Sequence, residues 1–172
     1  RASDRFPEDV VELQAFLADV HPSLAAAGIH ATPGRGTKVP LYILGSSLFG
    51  AQLAAQLGLP YAFASHFAPD ALEEAIAAYR ANYQPSEANP HPYVIAACNV
   101  IAADDPEHAR ATLDRVIRSR VRRFVPGGKD LNDDQLEALV AGPGGAQARH
   151  MMRHTIVGDT TAVARGLSDF AG

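Results

Sequence analysis

Apolar side chains recur every three or four positions at the start of the chain. In "PEDVVELQAFLADV", residues 7–20, Val10, Leu13, Leu17 and Val20 share one face behind a proline suited to a first turn, so the spacing predicts an amphipathic helix. From His21 to Lys38 the pattern dissolves into Ala, Gly, Pro and Thr, which predicts a loop with at most a short strand. "VPLYILG" (39–45) then runs without polar interruption, as expected of a strand covered on both faces. Helical spacing from Leu48 to Leu57, closed by Gly58, leads into a second strand in "LPYAFASHF" (59–67). Asp70 and Glu73 form a capping arrangement ahead of a helix striped by Leu72, Ile76, Tyr79 and Tyr83.

A Pro/Asn-rich loop precedes the third and clearest strand, "YVIAACNVIAA" (93–103). Asp105, a good cap, and Pro106, suited to a first helical position, start a long helix that runs to Phe124. Then come the loop "VPGGKDLN", a short helix from Asn132 to Val140, a flexible "GPGG", and a tail ending in a helix from Asp159. Strand and helix alternate with long connections, so the strands are expected to be parallel. Three parallel strands leave both sheet edges open, which predicts membership of a larger parallel assembly, a (β/α) barrel or a doubly wound sheet.

Composition narrows the class. With 172 residues, 47% of them apolar and 20% charged, the chain fits one globular domain, and its apolar runs are broken well short of a membrane span. A net charge of −4 argues against a nucleic-acid partner. The single cysteine, Cys98, offers no disulfide framework and reads as a small buried strand residue; a reducing cytoplasm is the expected location. Because it opens on Arg1 within a helix approach, the chain is expected to be a piece of something longer.

Ligands of parallel α/β folds collect where strands end and helices begin. Three such edges are legible: Gly45-Ser46-Ser47, Ser65-His66-Phe67 and Asn99 onward. At the first, a helix N-terminus offers unpaired N–H groups and partial positive charge, and the serines add hydroxyls without bulk, which suits an anion such as phosphate. Taken alone, the same three residues read first as ordinary helix-capping chemistry, and the turn lacks a Walker lysine and the dinucleotide glycine fingerprint. His66 could serve as acid or base, or simply be structural. Asn99 needs hydrogen bonds from neighbouring loops or from a ligand. The arginines at 110, 115, 118, 120, 122 and 123 read as a solvated or acid-paired helix face. No histidine spacing has metal-ligand logic, and no Gly-x-Ser-x-Gly elbow occurs.

"VPLYILGSSLFGAQLAAQLGLPYAFASHFAP", followed by "LEEAIAAYRANYQPS" and "HPYVIAACNVIAADDPEHA", resembles the bacterial-luciferase-like flavin-dependent monooxygenases, as do "FPEDVVELQAFL" and "TIVGDTTAVARGL" at the two ends. The resemblance implies a TIM-type (β/α)8 barrel, present here as a partial barrel of about three parallel strands, a single C-terminal piece over 1–172 lacking the first four strands and the last. It implies reduced FMN, with a deazaflavin as the variant cofactor, and O2 as co-substrate for oxidising a small organic molecule, with a flavin reductase and a second copy in a homodimer as partners. Carried over, Gly45, Ser46, Ser47, Leu48 and Phe49 would hold the FMN phosphate. Ala64 and Ser65, with His66 as the weaker candidate, would face the flavin ring or substrate cavity. The rival expectation is a non-catalytic flavin-binding or assembly half-barrel.

Overall fold

The computed structural model describes residues 5–19 and 28–171. Helix α1 spans Phe6–Leu17 with a proline in its first turn. Strand β1 (Ile43–Gly45) runs into α2 (Leu48–Gln56), and β2 (Tyr61–Phe63) leads through a 3-10 turn (Pro69–Ala71) into α3 (Leu72–Asn82). Strands β3 (Val94–Ala96) and β4 (Asn99–Ala102) precede α4 (Pro106–Phe124). Helices α5 (Asp133–Ala141) and α6 (Pro143–Met151), strand β5 (Thr155–Gly158) and α7 (Thr160–Ala171) complete the chain. Val20 and the first residues of the His21–Lys38 loop lie outside the described residues; residues 28–38 contain turns and no strand.

All strand pairings among the described residues are parallel. Strand β2 lies between β1 and β3, and β4 pairs with β5. The alternation of strand and helix therefore has the predicted consequence, an α/β fold of parallel strands. Among the described residues no helix is long and apolar enough to cross a membrane.

Three expectations need correction. The continuous strand over 93–103 is interrupted at Ala97–Cys98, so β3 and β4 pair with different neighbours, and Cys98 sits half-buried in the break instead of inside a strand. A further parallel strand, β5, stands in the tail, where only a helix was expected. And "GPGG" is no flexible linker: Gly142 donates to the Ala138 and Leu139 carbonyls to end α5, and Pro143 takes the first turn of α6. A proline there gives up an N–H that has no helical partner anyway.

The core lies on one side of the first sheet. Ile43, Tyr61 and Phe63 pack with Ala51, Ala54 and Ala55 of α2 and with Leu72, Ala75 and Tyr79 of α3. Full burial of side chains such as Phe63 stabilises the fold by roughly 1.5–3 kcal/mol each. Three aromatics reinforce this layer: the Tyr61 and Tyr79 ring centroids are 5.5 Å apart, and those of Tyr79 and Tyr83 5.3 Å. The opposite face is open. Leu44 is 71% exposed and Ile95 41%, so the first strand is covered on one face and not on both as its apolar run suggested; Val100, on β4 of the second sheet, is 43% exposed. A second core joins Ile117 and Val121 of α4 to Leu136, Ala148 and Met152.

The capping predictions divide. Asp105 accepts from the Glu107 and His108 N–H groups, with Pro106 behind it, as expected. Asn132 and Gln135 form a reciprocal capping box on α5. Asp70 caps nothing and lies inside the 3-10 turn. Its carboxylate is taken by the end of α6: His150 Nε2 donates to it at 2.8 Å, and Arg153 pairs with its other oxygen. On α4, Arg118 makes a bidentate pair with Glu137 and Arg122 reaches Asp133 at 3.3 Å, so part of the arginine face is acid-paired.

Candidate functional site

Gly45 is the last residue of β1 and Leu48 the first of α2, so only two serines separate strand from helix. The strand end and the helix start pack closely against each other. A Cβ on Gly45 would lie 3.6 Å from Gly50 Cα, and one on Gly50 would lie 3.5 Å from Tyr61 Cε2, so the first turn of α2 rests directly on the strand end and on the tyrosine ring. At the far end of α2, Gly58 adopts φ +60, and a Cβ there would come within 2.6 Å of the Gln84 carbonyl oxygen. Its own carbonyl accepts from Ser86 and Asn89 at 3.0 Å each, which anchors the exit of the helix.

Ser47 is the N-cap residue in an extended conformation, yet its side chain makes no capping hydrogen bond. This separates the two roles left open for the Gly-Ser-Ser turn: the hydroxyl of Ser47 does not satisfy the helix. The first N–H groups of an α-helix lack intrahelical acceptors. In α2 the first such bond is donated by Ala51 to the Ser47 carbonyl, at 3.4 Å, leaving the N–H groups of Leu48, Phe49 and Gly50 without one. Ser47 and Phe49 are exposed and Ser46 half-buried, so the turn faces outward. Hydroxyls, amides and the positive end of a helix dipole at the carboxyl end of β1 make a donor set for an anion.

The inward side of the turn is tied down. Ala64 N–H donates to the Gly45 carbonyl at 2.9 Å, and the Tyr61 hydroxyl donates to the Ser47 carbonyl at 3.1 Å. Tyr61 is fully buried, and burial pushes its phenol up to about 12. It remains a neutral donor throughout the physiological range.

Ala64 and Ser65, which follow β2, are tied to neighbouring backbone. The Ala64 carbonyl accepts from Phe67 and Ala68, so with its N–H on Gly45 the whole Ala64 backbone is engaged inside the protein. Ser65 is fully buried and its hydroxyl donates to the Ala97 carbonyl, at the break between β3 and β4. That bond lets the chain leave the ladder at Ala97 without orphaning a carbonyl. His66 is half-buried, its ring centroid 4.4 Å from that of Phe67 with the planes tilted by 44°, and Phe67 is 68% exposed. Asn99 opens β4, its N–H donating to the His154 carbonyl, so a neighbouring loop supplies its backbone partner.

The structure therefore brings Gly45, Ser46, Ser47, Leu48 and Phe49 together with the backbone of Ala64, and diverts the Ser65 hydroxyl elsewhere. Two features were missed. Tyr61 lay within an apolar strand where nothing marked its hydroxyl. The second is the clasp in which Asp70 meets His150 and Arg153 while Arg153 and His154 also donate to the Pro69 carbonyl, at 2.6 and 3.1 Å. The His150 hydrogen bond, helped by the nearby charges of His150 and Arg153, holds the Asp70 carboxyl below its ordinary range.

Comparison with known proteins fits this frame. The family model for luciferase-like monooxygenases matches residues 16–172, and the chain belongs to that family. A luciferase-like monooxygenase of Escherichia coli (strain K12) is 40% identical over 169 residues, covering 95% of this chain and 49% of that protein. The uncharacterized protein YddN of Bacillus subtilis (strain 168) is 35% identical over 177 residues, covering 96% of this chain and 48% of its own length. Among solved structures, apo-MsnO8 superposes with a TM-score of 0.74 at 26% identity, over 99% of this chain and 51% of that one. The chain thus spans about half the length of the relatives it matches.

Proposed function

We propose that this chain carries the FMN-phosphate turn of a luciferase-like flavin monooxygenase of TIM-barrel type, which oxidises a small organic substrate with reduced FMN and O2. The observation that carries the reading is the Ser47 turn: a helix N-terminus at a strand's carboxyl end whose serine does not cap it. Those donors fit a phosphate dianion, which takes several short N–H and O–H hydrogen bonds and gains from the helix dipole. Gly45, Ser46, Ser47, Leu48 and Phe49 would hold that group.

Bound reduced FMN would supply the electrons for activating O2. The part left to this chain is binding and exclusion of water. Leu48 and Phe49 border the turn with apolar side chains, and the His66–Phe67 ring pair stands at the end of the neighbouring strand. His66 contributes an imidazole at that strand end.

In this reading β1, β2 and the broken β3/β4 occupy the three expected barrel positions, and β5 takes the last position, which the resemblance had left outside this piece. The open apolar face of Leu44, Ile95 and Val100 is then the wall of a barrel interior, closed by strands that do not belong to the described segment. A flavin reductase and a homodimeric partner complete the proposal, in a cytoplasmic setting.

The test is a pair of titrations followed by flavin fluorescence. FMN is expected to bind at least about tenfold more tightly than riboflavin, which lacks the phosphate, because hydrogen bonds to a charged group are worth about 1.5–3 kcal/mol. Inorganic phosphate in excess is expected to weaken FMN binding and leave riboflavin binding unchanged. Equal affinities for the two flavins would refute the reading.

A further inference from the structure

We propose that Tyr61 is the positioning residue of the anion turn: its hydroxyl fixes the Ser47–Leu48 peptide so that the Leu48 N–H is aimed at the bound phosphate. The inference rests on the FMN reading above and adds to it a residue that touches no ligand.

A trans peptide is planar, with its C=O and N–H pointing in opposite directions. The Ser47 carbonyl and the Leu48 N–H belong to one such plane. Tyr61, from β2, donates to that carbonyl at 3.1 Å from the protein interior, so the N–H on the other side is turned away from the interior. The helix itself holds this plane loosely, since the Ala51 N–H reaches the same carbonyl at only 3.4 Å. The tyrosine bond is the shorter of the two.

The ring is held as firmly as the hydroxyl. Tyr61 has no exposed surface, its centroid lies 6.2 Å from that of Phe63 and 5.5 Å from that of Tyr79, and Gly45 and Gly50 present bare backbone to it. Strand pairing fixes its height, because Tyr61 is in register with Ile43, two residues before the turn. A phosphate-binding amide held this way needs no reorganisation on binding, which is the physical content of preorganisation. Without the hydroxyl, the Ser47 carbonyl keeps only the long helical bond and the Leu48 N–H loses its fixed aim.

The experiment compares FMN and riboflavin affinities in the wild type, Tyr61→Phe and Tyr79→Phe. Tyr61→Phe keeps the ring against Gly45 and Gly50, and riboflavin binding with a thermal melt reports that the variant is folded. Tyr79→Phe removes a buried hydroxyl from the same aromatic layer, one bonded to the Leu59 carbonyl and not to the turn, and serves as the control for lost stability alone. Tyr61→Phe is expected to weaken FMN binding about fivefold to tenfold, as for one lost hydrogen bond, with riboflavin affinity within about twofold. Tyr79→Phe is expected to leave the FMN-to-riboflavin ratio at its wild-type value.

A wild type that discriminates the two flavins, with a Tyr61→Phe variant that discriminates equally well, overturns the role given to Tyr61 and leaves the phosphate site standing. A ratio lowered equally by both variants also overturns it, because the effect is then one of stability. A wild type without discrimination, or without measurable FMN binding, overturns the phosphate reading and this inference with it.

Discussion

Removing one oxygen atom from the centre of the aromatic layer should cost more stability than its size suggests. Tyr79 is fully buried, and its hydroxyl makes two hydrogen bonds: it donates to the Leu59 carbonyl at 2.9 Å and accepts from the Tyr93 N–H at 3.2 Å. These bonds tie α3 to the residues that enter β2 and β3. In Tyr79→Phe the ring stays packed against Tyr61 and Tyr83, so almost no apolar burial is lost. What remains is a carbonyl and an amide without their partner. A buried group left unsatisfied costs about 1–3 kcal/mol, and that is the loss expected here: it comes from the Leu59 carbonyl, whose bond to Tyr79 is buried, while the Tyr93 N–H is only partly buried and can turn to water. Equilibrium unfolding in urea measures it, with the midpoint falling and the slope unchanged, since the surface exposed on unfolding is the same. A loss under about 0.5 kcal/mol at unchanged slope would refute the reasoning, because the value of Tyr79 would then lie in its ring alone.

Three further outcomes are expected. The double change Ser46→Ala, Ser47→Ala should weaken FMN binding by about 1–3 kcal/mol with little effect on the melting temperature, since Ser47 does not cap the helix; unchanged FMN affinity in a fluorescence titration would show that the hydroxyls take no part. Replacing Asn132 by Ala removes one half of the capping box on α5 and should destabilise the protein by about 1 kcal/mol in a denaturant melt. Asp70, whose carboxyl is held below its ordinary range by His150, contributes stability that is present above the unfolded-state carboxyl pKa of about 4 and is lost as pH falls through the lower folded value. The difference in melting temperature between wild type and Asp70→Asn should therefore be largest near neutral pH and shrink below about pH 4, and added salt should reduce it because the pair is exposed. A difference that grows on acidification would contradict the clasp.

What could be read from the chain was mostly local. The step from Ile43 through Gly45-Ser46-Ser47 into α2 was legible because each part is written within a few residues: an apolar run, a small turn, a helical stripe. The Asp105–Pro106 start of α4 and the Asn132 start of α5 were legible for the same reason. Features decided across the chain were not. The break at Ala97–Cys98 sits in an unbroken apolar run and depends on the Ser65 hydroxyl, 32 residues earlier, and on β5, far downstream. Strand β5 is four residues long and exists by pairing with β4, so its own sequence carries little periodicity. Asp70 has the local pattern of a cap, but its carboxylate is drawn into partners 80 and 83 residues away, a charged hydrogen-bonded pairing stronger than one neutral cap. The residues of the candidate turn could be named from the sequence, whereas the hydrogen bonds made to it by Tyr61 and by the Ala64 N–H come from the next strand and its end and became visible only once β1 and β2 were paired.

Backbone amide NMR on the isotopically labelled chain tests the central claim most directly. On titration with FMN, the amide resonances of Ser47, Leu48 and Phe49 are expected to move the furthest, and riboflavin at the same occupancy should leave those three nearly in place. Were the largest FMN-dependent shifts to fall elsewhere, with Leu48 and Phe49 unmoved, the phosphate would have another home and the account given for this turn would be wrong.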